Sequence, residues 1–269
     1  FCPPILINSV PKSGTNLARK AICSLPGIYS SGLHIGESNA GSKSSANRTG
    51  ELRTCKVGVD RPVDADAAWF ENKMSQLKNE SVSTCHIPFF NTTHQIIEKQ
   101  GLSHVAIVRH PADVVLSHTN YINLSPDHFA HNYYKDLSKE ERVKQSILGV
   151  PEIGLESLSN RYTSILKWED EGDTLIVKFE DLVGPKGGGS LQKQIDALDR
   201  LAKYCQIRVS SNVLTESANA IFGGTHTFEK GRGGQIGGWR QDMSSSNKEA
   251  LRAELGKITK RLDYDLSIP

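Results

Sequence analysis

Residues 5–25 set the architecture of this chain. Ile5-Leu6-Ile7-Asn8-Ser9-Val10 is an apolar, β-branched run that predicts a buried strand. Pro11-Lys12-Ser13-Gly14-Thr15-Asn16 interrupts it, and Leu17 to Leu25 then has helical spacing, with Leu17, Ile22 and Cys23 inward. A buried strand, a glycine-containing turn and a helix open an α/β unit, because a strand apolar on both faces needs helices on both sides. The same alternation continues along the chain. Strands are predicted over 82–87, 104–108 and 173–179, and helices over 65–79, 93–99, 112–119, 140–148, 155–169, 191–205 and 246–261. Residues 28–50, dominated by Ser, Gly and Asn, read as a long loop, and residues 185–190 (PKGGGS) as a flexible connector. There is no internal repeat and no break in composition. The expected fold is a single three-layer α/β domain over residues 1–269, with a mostly parallel central sheet.

Composition narrows the function. The 32 basic and 30 acidic residues leave a formal net charge of +2, too little for a dedicated nucleic-acid binder. No stretch approaches the ~18 consecutive apolar residues of a membrane span, and no signal peptide is visible. Five widely spaced cysteines (Cys2, Cys23, Cys55, Cys85, Cys205), an odd number without a Cys-x-x-Cys pair, suit free thiols in a reducing compartment. A cytoplasmic location is therefore expected. Sequons at Asn47, Asn79, Asn91 and Asn123 carry little weight in a chain this rich in Ser, Thr and Asn.

Three segments suit anion binding. The Lys12 loop between a strand and a helix points backbone N–H groups at one spot, and the helix adds its positive end. Lys12 supplies a full charge, and Ser13, Thr15 and Asn16 supply donors. It is not the triphosphatase loop, in which the lysine follows the glycines. Arg109 stands at the end of a predicted strand, and Ser117, eight residues on, lies about two helical turns into the next helix. Residues 223–238 hold seven of the 23 glycines, with Arg232 among them. Each segment alone has an ordinary explanation: a surface lysine, a capped helix, a surface loop.

Together and in this order, the segments resemble the sulfotransferases that use 3′-phosphoadenosine 5′-phosphosulfate (PAPS). Val10-Pro11-Lys12-Ser13-Gly14-Thr15-Asn16 resembles their 5′-phosphosulfate loop (Pro-Lys-Ser-Gly-Thr-Thr-Trp). Residues 108–117 (VRHPADVVLS) are similar to the 3′-phosphate motif, with the Arg-to-Ser spacing intact, and residues 232–240 (RGGQIGGWR) to the late glycine-rich motif. Ser83-Thr84-Cys85-His86-Ile87-Pro88 resembles the segment bearing the catalytic histidine, and Phe179-Glu180-Asp181 a Tyr-Glu-Asp element. The resemblance runs from residue 5 to about residue 245.

The resemblance implies a transferase that moves a sulfuryl group from PAPS, leaving PAP, to a hydroxyl or amine of a small acceptor. His86 would be the general base, and Lys12 would neutralise charge on the leaving group, with Ser117 contacting both Lys12 and the 3′-phosphate. Lys12, Ser13, Gly14, Thr15, Asn16 and Leu17 would hold the 5′ side, and Arg109, Ser117, Arg232, Gly233 and Gly234 the 3′ side. No metal is required in this scheme. Leu17 stands where the family's adenine-stacking tryptophan would, so Phe222 is a candidate replacement ring. Arg240 is expected near the acceptor side. Residues 28–64, 120–150 and 223–238 would shape the acceptor pocket, and their polarity points to a polar acceptor. Neither a nucleic acid nor a membrane is an expected partner, and nothing in the pattern specifies an oligomeric state. A kinase-like phosphotransferase, a binding protein that has lost catalysis, and a lumenal, Golgi-type carbohydrate sulfotransferase are the alternatives.

Overall fold

A computed structural model of the chain describes residues 2–41, 53–223 and 234–266. The first apolar run forms β1 (Ile5–Ser9), every residue of which is buried. It sits at the centre of a five-stranded sheet in the order β2 (Tyr29–Ile35), β5 (Ser81–Cys85), β1, β6 (Ser103–Val108) and β7 (Thr174–Lys178). All four pairings are parallel, with Asn8 opposite Cys85 on one side and Ser9 opposite Ile107 on the other. Two further strands, β3 (Thr54–Val57) and β4 (Val63–Asp66), pair antiparallel as a separate hairpin.

Strand alternation divides the core between the two sheet faces. Ile5, Ile7, Val105, Ile107 and Val177 pack against α1 (Thr15–Cys23), α8 (Phe179–Leu182), α9 (Leu191–Tyr204) and α10 (Ser211–Ala220). Leu6, Cys85, Ala106 and Val108 face the other way. They meet α2 (Ala67–Ser75), α3 (Asn91–Lys99), α4 (Pro111–Asn123), α6 (Lys139–Leu148), α7 (Leu158–Glu171) and the closing helix α12 (Ser245–Arg261). Two short helices, α5 (His131–Tyr134) and α11 (Trp239–Asp242), complete the set. Each fully buried aliphatic or aromatic side chain contributes about 1.5–3 kcal/mol, so the central strands anchor the domain. Among the described residues no helix is long and apolar enough to cross a membrane.

Three expectations are corrected. The first eight residues of the expected loop at 28–50 contain an edge strand. β2 is mostly exposed and pairs on one side only, with a register shift between Ser30 and His34. Its Ser/Gly composition therefore lacks the apolar signature of a central strand. The helix expected over 65–79 begins at Ala67, because Ala65 and Asp66 belong to β4 and the Asp66 carboxylate caps the helix by accepting from the Ala68 amide at 2.8 Å. The connector at 185–190 is packed rather than free: Pro185–Gly187 form a 3₁₀ turn, Gly187 is buried, and its carbonyl accepts from the Ile236 amide at 3.0 Å.

Candidate active site

In a parallel sheet the segments that leave the carboxyl ends of the strands share one edge, which is where α/β proteins bind ligands. Here β1 leads to the Lys12 loop, β5 to His86, β6 to Arg109 and β7 to Phe179. They border one cavity of about 390 Å³.

The loop is a tight turn closed by Ser13 N–H donating to the Val10 carbonyl at 3.1 Å. Lys12 (φ 72°) and Gly14 (φ 107°) both occupy the left-handed region, a conformation that costs a non-glycine residue about 1–2 kcal/mol. A Cβ on Gly14 would also lie 2.5 Å from Phe179 Cδ2, so only glycine lets the turn close onto that ring. No side chain caps the start of α1 at Gly14. Its first amides therefore stay available to an anion.

Lys12 is held back from solvent, with its ammonium 4.1 Å from the centre of the Tyr121 ring. Burial, then the Arg109 charge, push the lysine down to about 8, while Asp60 opposes the shift. Arg109 is buried beneath the loop. Its guanidinium lies 4.3 Å from the Phe179 ring centre and donates from Nη2 to the Gln235 carbonyl at 2.8 Å, while its buried Nε has no partner among the described residues. A buried guanidinium with a donor to spare suits an oxyanion. Ser117, on α4, lines the same cavity, and no hydrogen bond joins it to Lys12 among the described residues. In this state the lysine is restrained by Tyr121.

His86 is pinned from every side. Its amide donates to the Ile35 carbonyl at 2.8 Å, and its own carbonyl accepts from Gly58 at 2.8 Å. The next peptide is clamped by Asn8, whose Nδ2 donates to the Ile87 carbonyl at 2.8 Å and whose Oδ1 accepts from the Ile87 amide at 3.0 Å. The ring is fixed by Nδ1, 3.0 Å from the Ser9 carbonyl. A carbonyl only accepts, so Nδ1 carries the proton and Nε2 is left as the basic nitrogen. Burial holds the imidazole below its ordinary value, partly offset by that Ser9 bond, and keeps the ring neutral near pH 7.

Lys12, Gly14, Thr15, Asn16, Leu17, His86, Arg109, Ser117 and Gly234 all line the cavity, as does Phe222. Ser13 does not: its side chain is fully buried and its hydroxyl has no hydrogen-bond partner among the described residues. Arg232 and Gly233 lie outside the described residues. Arg240 is not among the residues that line the cavity. It is exposed and stacks on Trp239 with 4.9 Å between its guanidinium and the ring centre.

Sequence reasoning missed several groups. Asp113 ties the late glycine segment to α4, accepting from Gly237 N at 2.8 Å and Trp239 N at 3.3 Å. Glu180 fixes the start of α4 by accepting from His110 N at 2.8 Å and Tyr264 OH at 2.8 Å. Asp60, whose position just after the apolar pair Val57 and Val59 was a signal of burial, lines the cavity. It is paired with Arg161 at 3.0 Å and accepts from His118 Nε2 at 3.1 Å. Burial opposes its ionisation, yet His118 and Arg161 hold the carboxyl well below the usual carboxylate range. Asp60, His118 and His128 bring ligand-capable atoms within 4.8 Å of one another. His118 is bonded through both nitrogens, Nε2 to Asp60 and Nδ1 to Ser146 Oγ at 2.8 Å, Asp60 is paired with Arg161, and His128 Nδ1 accepts from the Ala130 amide at 3.2 Å.

Comparison with known proteins agrees with this geometry. The profile of the sulfotransferase domain matches residues 3–262. The chain belongs to the sulfotransferase domain family. No curated protein sequence matches it significantly. Its fold is similar to that of a mouse sulfotransferase complexed with PAP, at 13% identity and a TM-score of 0.65, covering 98% of this chain and 89% of that one. It is also similar to a retinol dehydratase in complex with androsterone and inactive cofactor PAP (13% identity, TM-score 0.57, 99% and 82% coverage). A second complex of retinol dehydratase, with retinol and PAP, gives 12% identity and a TM-score of 0.57 over 99% and 83%. As a member of the sulfotransferase domain family the chain is a sulfotransferase with an α/β fold shared with these PAP-bound proteins.

Proposed function

We propose that this single catalytic domain sulfates a hydroxyl or amine of a small polar acceptor with His86 as general base. The observation that carries the reading is the placement of His86: Nδ1 lies 3.0 Å from the Ser9 carbonyl and 3.2 Å from the Ser9 hydroxyl, Nε2 has no hydrogen-bond partner among the described residues, and the ring lines the cavity that Lys12 and Arg109 also line. The cavity residues fit PAPS: an uncapped helix start, a spare buried guanidinium donor at Arg109 and an ammonium at Lys12 are what a molecule with clustered negative charge requires. PAPS supplies the activated sulfuryl group.

The residue roles follow. Gly14, Thr15 and Asn16, at the start of α1, hold the 5′ end, and Arg109 and Ser117 the 3′-phosphate. Leu17 and Phe222 offer apolar contact to a base. His86 Nε2 takes the acceptor's proton, and the Ser9 carbonyl stabilises the imidazolium that results. Lys12 places positive charge where negative charge develops. A cytoplasmic setting is part of the reading, supported by five cysteines that form no disulfide.

A thermal-shift titration tests the donor site. At about 100 times its Kd, PAP adds ~2.7 kcal/mol of stability, a rise of about 5–10 °C for a chain of this size. A shift with ATP and magnesium but none with PAP would instead identify a phosphotransferase.

The pH profile is a second expected result. His86 is active when neutral, and its value is lowered, so kcat/KM rises with pH through a midpoint below ~6.5. Lys12 is active when charged, so the rate falls again above about 8. A profile flat from the acid limb to pH 10, measured with saturating PAPS and with limiting PAPS, would remove Lys12 from the reaction.

A further inference from the structure

The cavity is lined by charge of both signs. Its lining carries three cations, Lys12, Arg19 and Arg109, and two carboxylates, Asp60 and Glu37. These carboxylates are not equivalent. Asp60 is neutralised by Arg161 and hydrogen-bonded by His118. Glu37 is half-buried, yet among the described residues its carboxylate makes no ion pair and bonds only to its own amide. Arg61 attracts it without forming an ion pair, its guanidinium resting 4.1 Å from the centre of the Phe129 ring.

Glu37 belongs to the wall that carries the base. It follows Ile35, whose carbonyl accepts from the His86 amide, by two residues. It also rests on Gly58, whose amide donates to the His86 carbonyl. A Cβ on Gly58 would stand 2.8 Å from Glu37 Cβ and 3.2 Å from its Oε2, and φ there is +90°, so glycine is what lets the carboxylate settle on this turn. The Asn39 side chain holds the entry to the short 3₁₀ turn Glu37–Asn39, accepting from Gly36 N at 2.8 Å. Glu37 is thus held on a segment tied to the His86 backbone, and both residues line the same cavity.

We infer that Glu37 selects acceptors that carry a protonated amine in addition to the group that is sulfated. A partly desolvated carboxylate without a counter-ion is costly, and an ammonium arriving with the acceptor removes that cost by a charge-assisted bond. Burial and then the Asp60 charge push the Glu37 carboxyl above its ordinary value, against its own amide and the Arg61 charge, and a cation bound beside it would lower it further. Arg161 and His118 are occupied with Asp60, which leaves Glu37 as the lining carboxylate without an ion pair among the described residues. This inference rests on the sulfotransferase reading above, and its test separates the two.

The test uses three matched acceptors, 5-aminopentan-1-ol, hexan-1-ol and 6-hydroxyhexanoate, with radiolabelled PAPS. In parallel, binding of each acceptor to the PAP complex is followed by saturation-transfer NMR, so that a slow acceptor is still read. The wild-type protein is expected to favour the amino alcohol over hexan-1-ol by about 10- to 100-fold, the range of a hydrogen bond to a charged group. Glu37→Gln should bring the two within a few-fold, and Glu37→Lys should transfer the preference to the hydroxyhexanoate. PAP affinity, measured by calorimetry, should be the same for all three proteins, which also establishes that the variants fold. Equal use and equal binding of the amine and the alkanol by the wild-type protein would overturn the inference. So would an amine preference that survives in Glu37→Gln. Failure of the wild-type protein to bind PAP would overturn the sulfotransferase reading itself, and the inference with it.

Discussion

His86→Ala is expected to lower kcat by about 10²- to 10⁴-fold, the usual contribution of a general base, while leaving PAP affinity within a few-fold of wild type. The separation follows from position. The imidazole stands at the end of β5, fixed to Ser9 by Nδ1, whereas the anion-binding groups are the α1 amides, Lys12 and Arg109. Radiolabelled transfer and calorimetry with PAP would read the two quantities independently. Turnover near the wild-type rate would remove His86 from the mechanism, and a parallel loss of PAP binding would show that the histidine holds up the nucleotide site instead. Asn8 gives an internal comparison, since it grips the Ile87 peptide without reaching the cavity. Asn8→Ala would act on the aim of His86, with a smaller effect on kcat and no change in the acid limb of the pH profile.

Arg161→Met is expected to destabilise the fold by about 3–5 kcal/mol, a large fraction of the ~5–15 kcal/mol that holds a typical domain together. Arg161 and Asp60 are 0% and 3% exposed in their side chains and are 3.0 Å apart. Removing the guanidinium leaves a carboxylate stranded in the core and takes a donor from the Ser146 carbonyl. At ~2–4 °C per kcal/mol the melting temperature should fall by about 6–20 °C. The sign with pH is specific. Asp60 is held below its unfolded value, so its contribution to stability is present above about pH 4 and is lost as the pH falls further. Arg161→Met should largely flatten that acid dependence. The double variant Asp60→Asn with Arg161→Met should recover much of the loss, because no buried charge then remains. Strictly additive losses in the two single variants would show that the pair is not the source of the effect.

Much of the site was legible from local pattern. Lys12 and Arg109 each follow an apolar run that had to become a central strand, His86 follows the more polar β5, and in a parallel sheet the residues just beyond such strands share one edge. The helical repeat after Arg109 carried Ser117 to the same edge. Other features had no local signature. β2 is an edge strand of Ser and Gly that owes its conformation to β5, so its composition read as a loop. Glu37, just beyond that strand, was hidden with it. Ser13 was assigned to the site by its neighbours in sequence, yet the turn directs it into the interior. Arg240 was assigned by its place in a motif, yet it stacks outward on Trp239.

The amino-acid sequence by itself determined the α/β class, the buried central strands and the charged groups that leave their carboxyl ends. It could do so because burial on both faces favours apolar, β-branched residues, and such runs are visible in β1 and β6. Only the tertiary structure decided the protonation and pairing of those groups. The proton on His86 is placed by a carbonyl 77 positions away, and Asp60 is neutralised by an arginine 101 positions away. Glu37 has no ion pair among the described residues, while Arg61 rests on Phe129. Hydrogen bonds and desolvation act through space at a few ångströms, so a chain reveals which groups it carries well before it reveals which of them will be charged, tied or free.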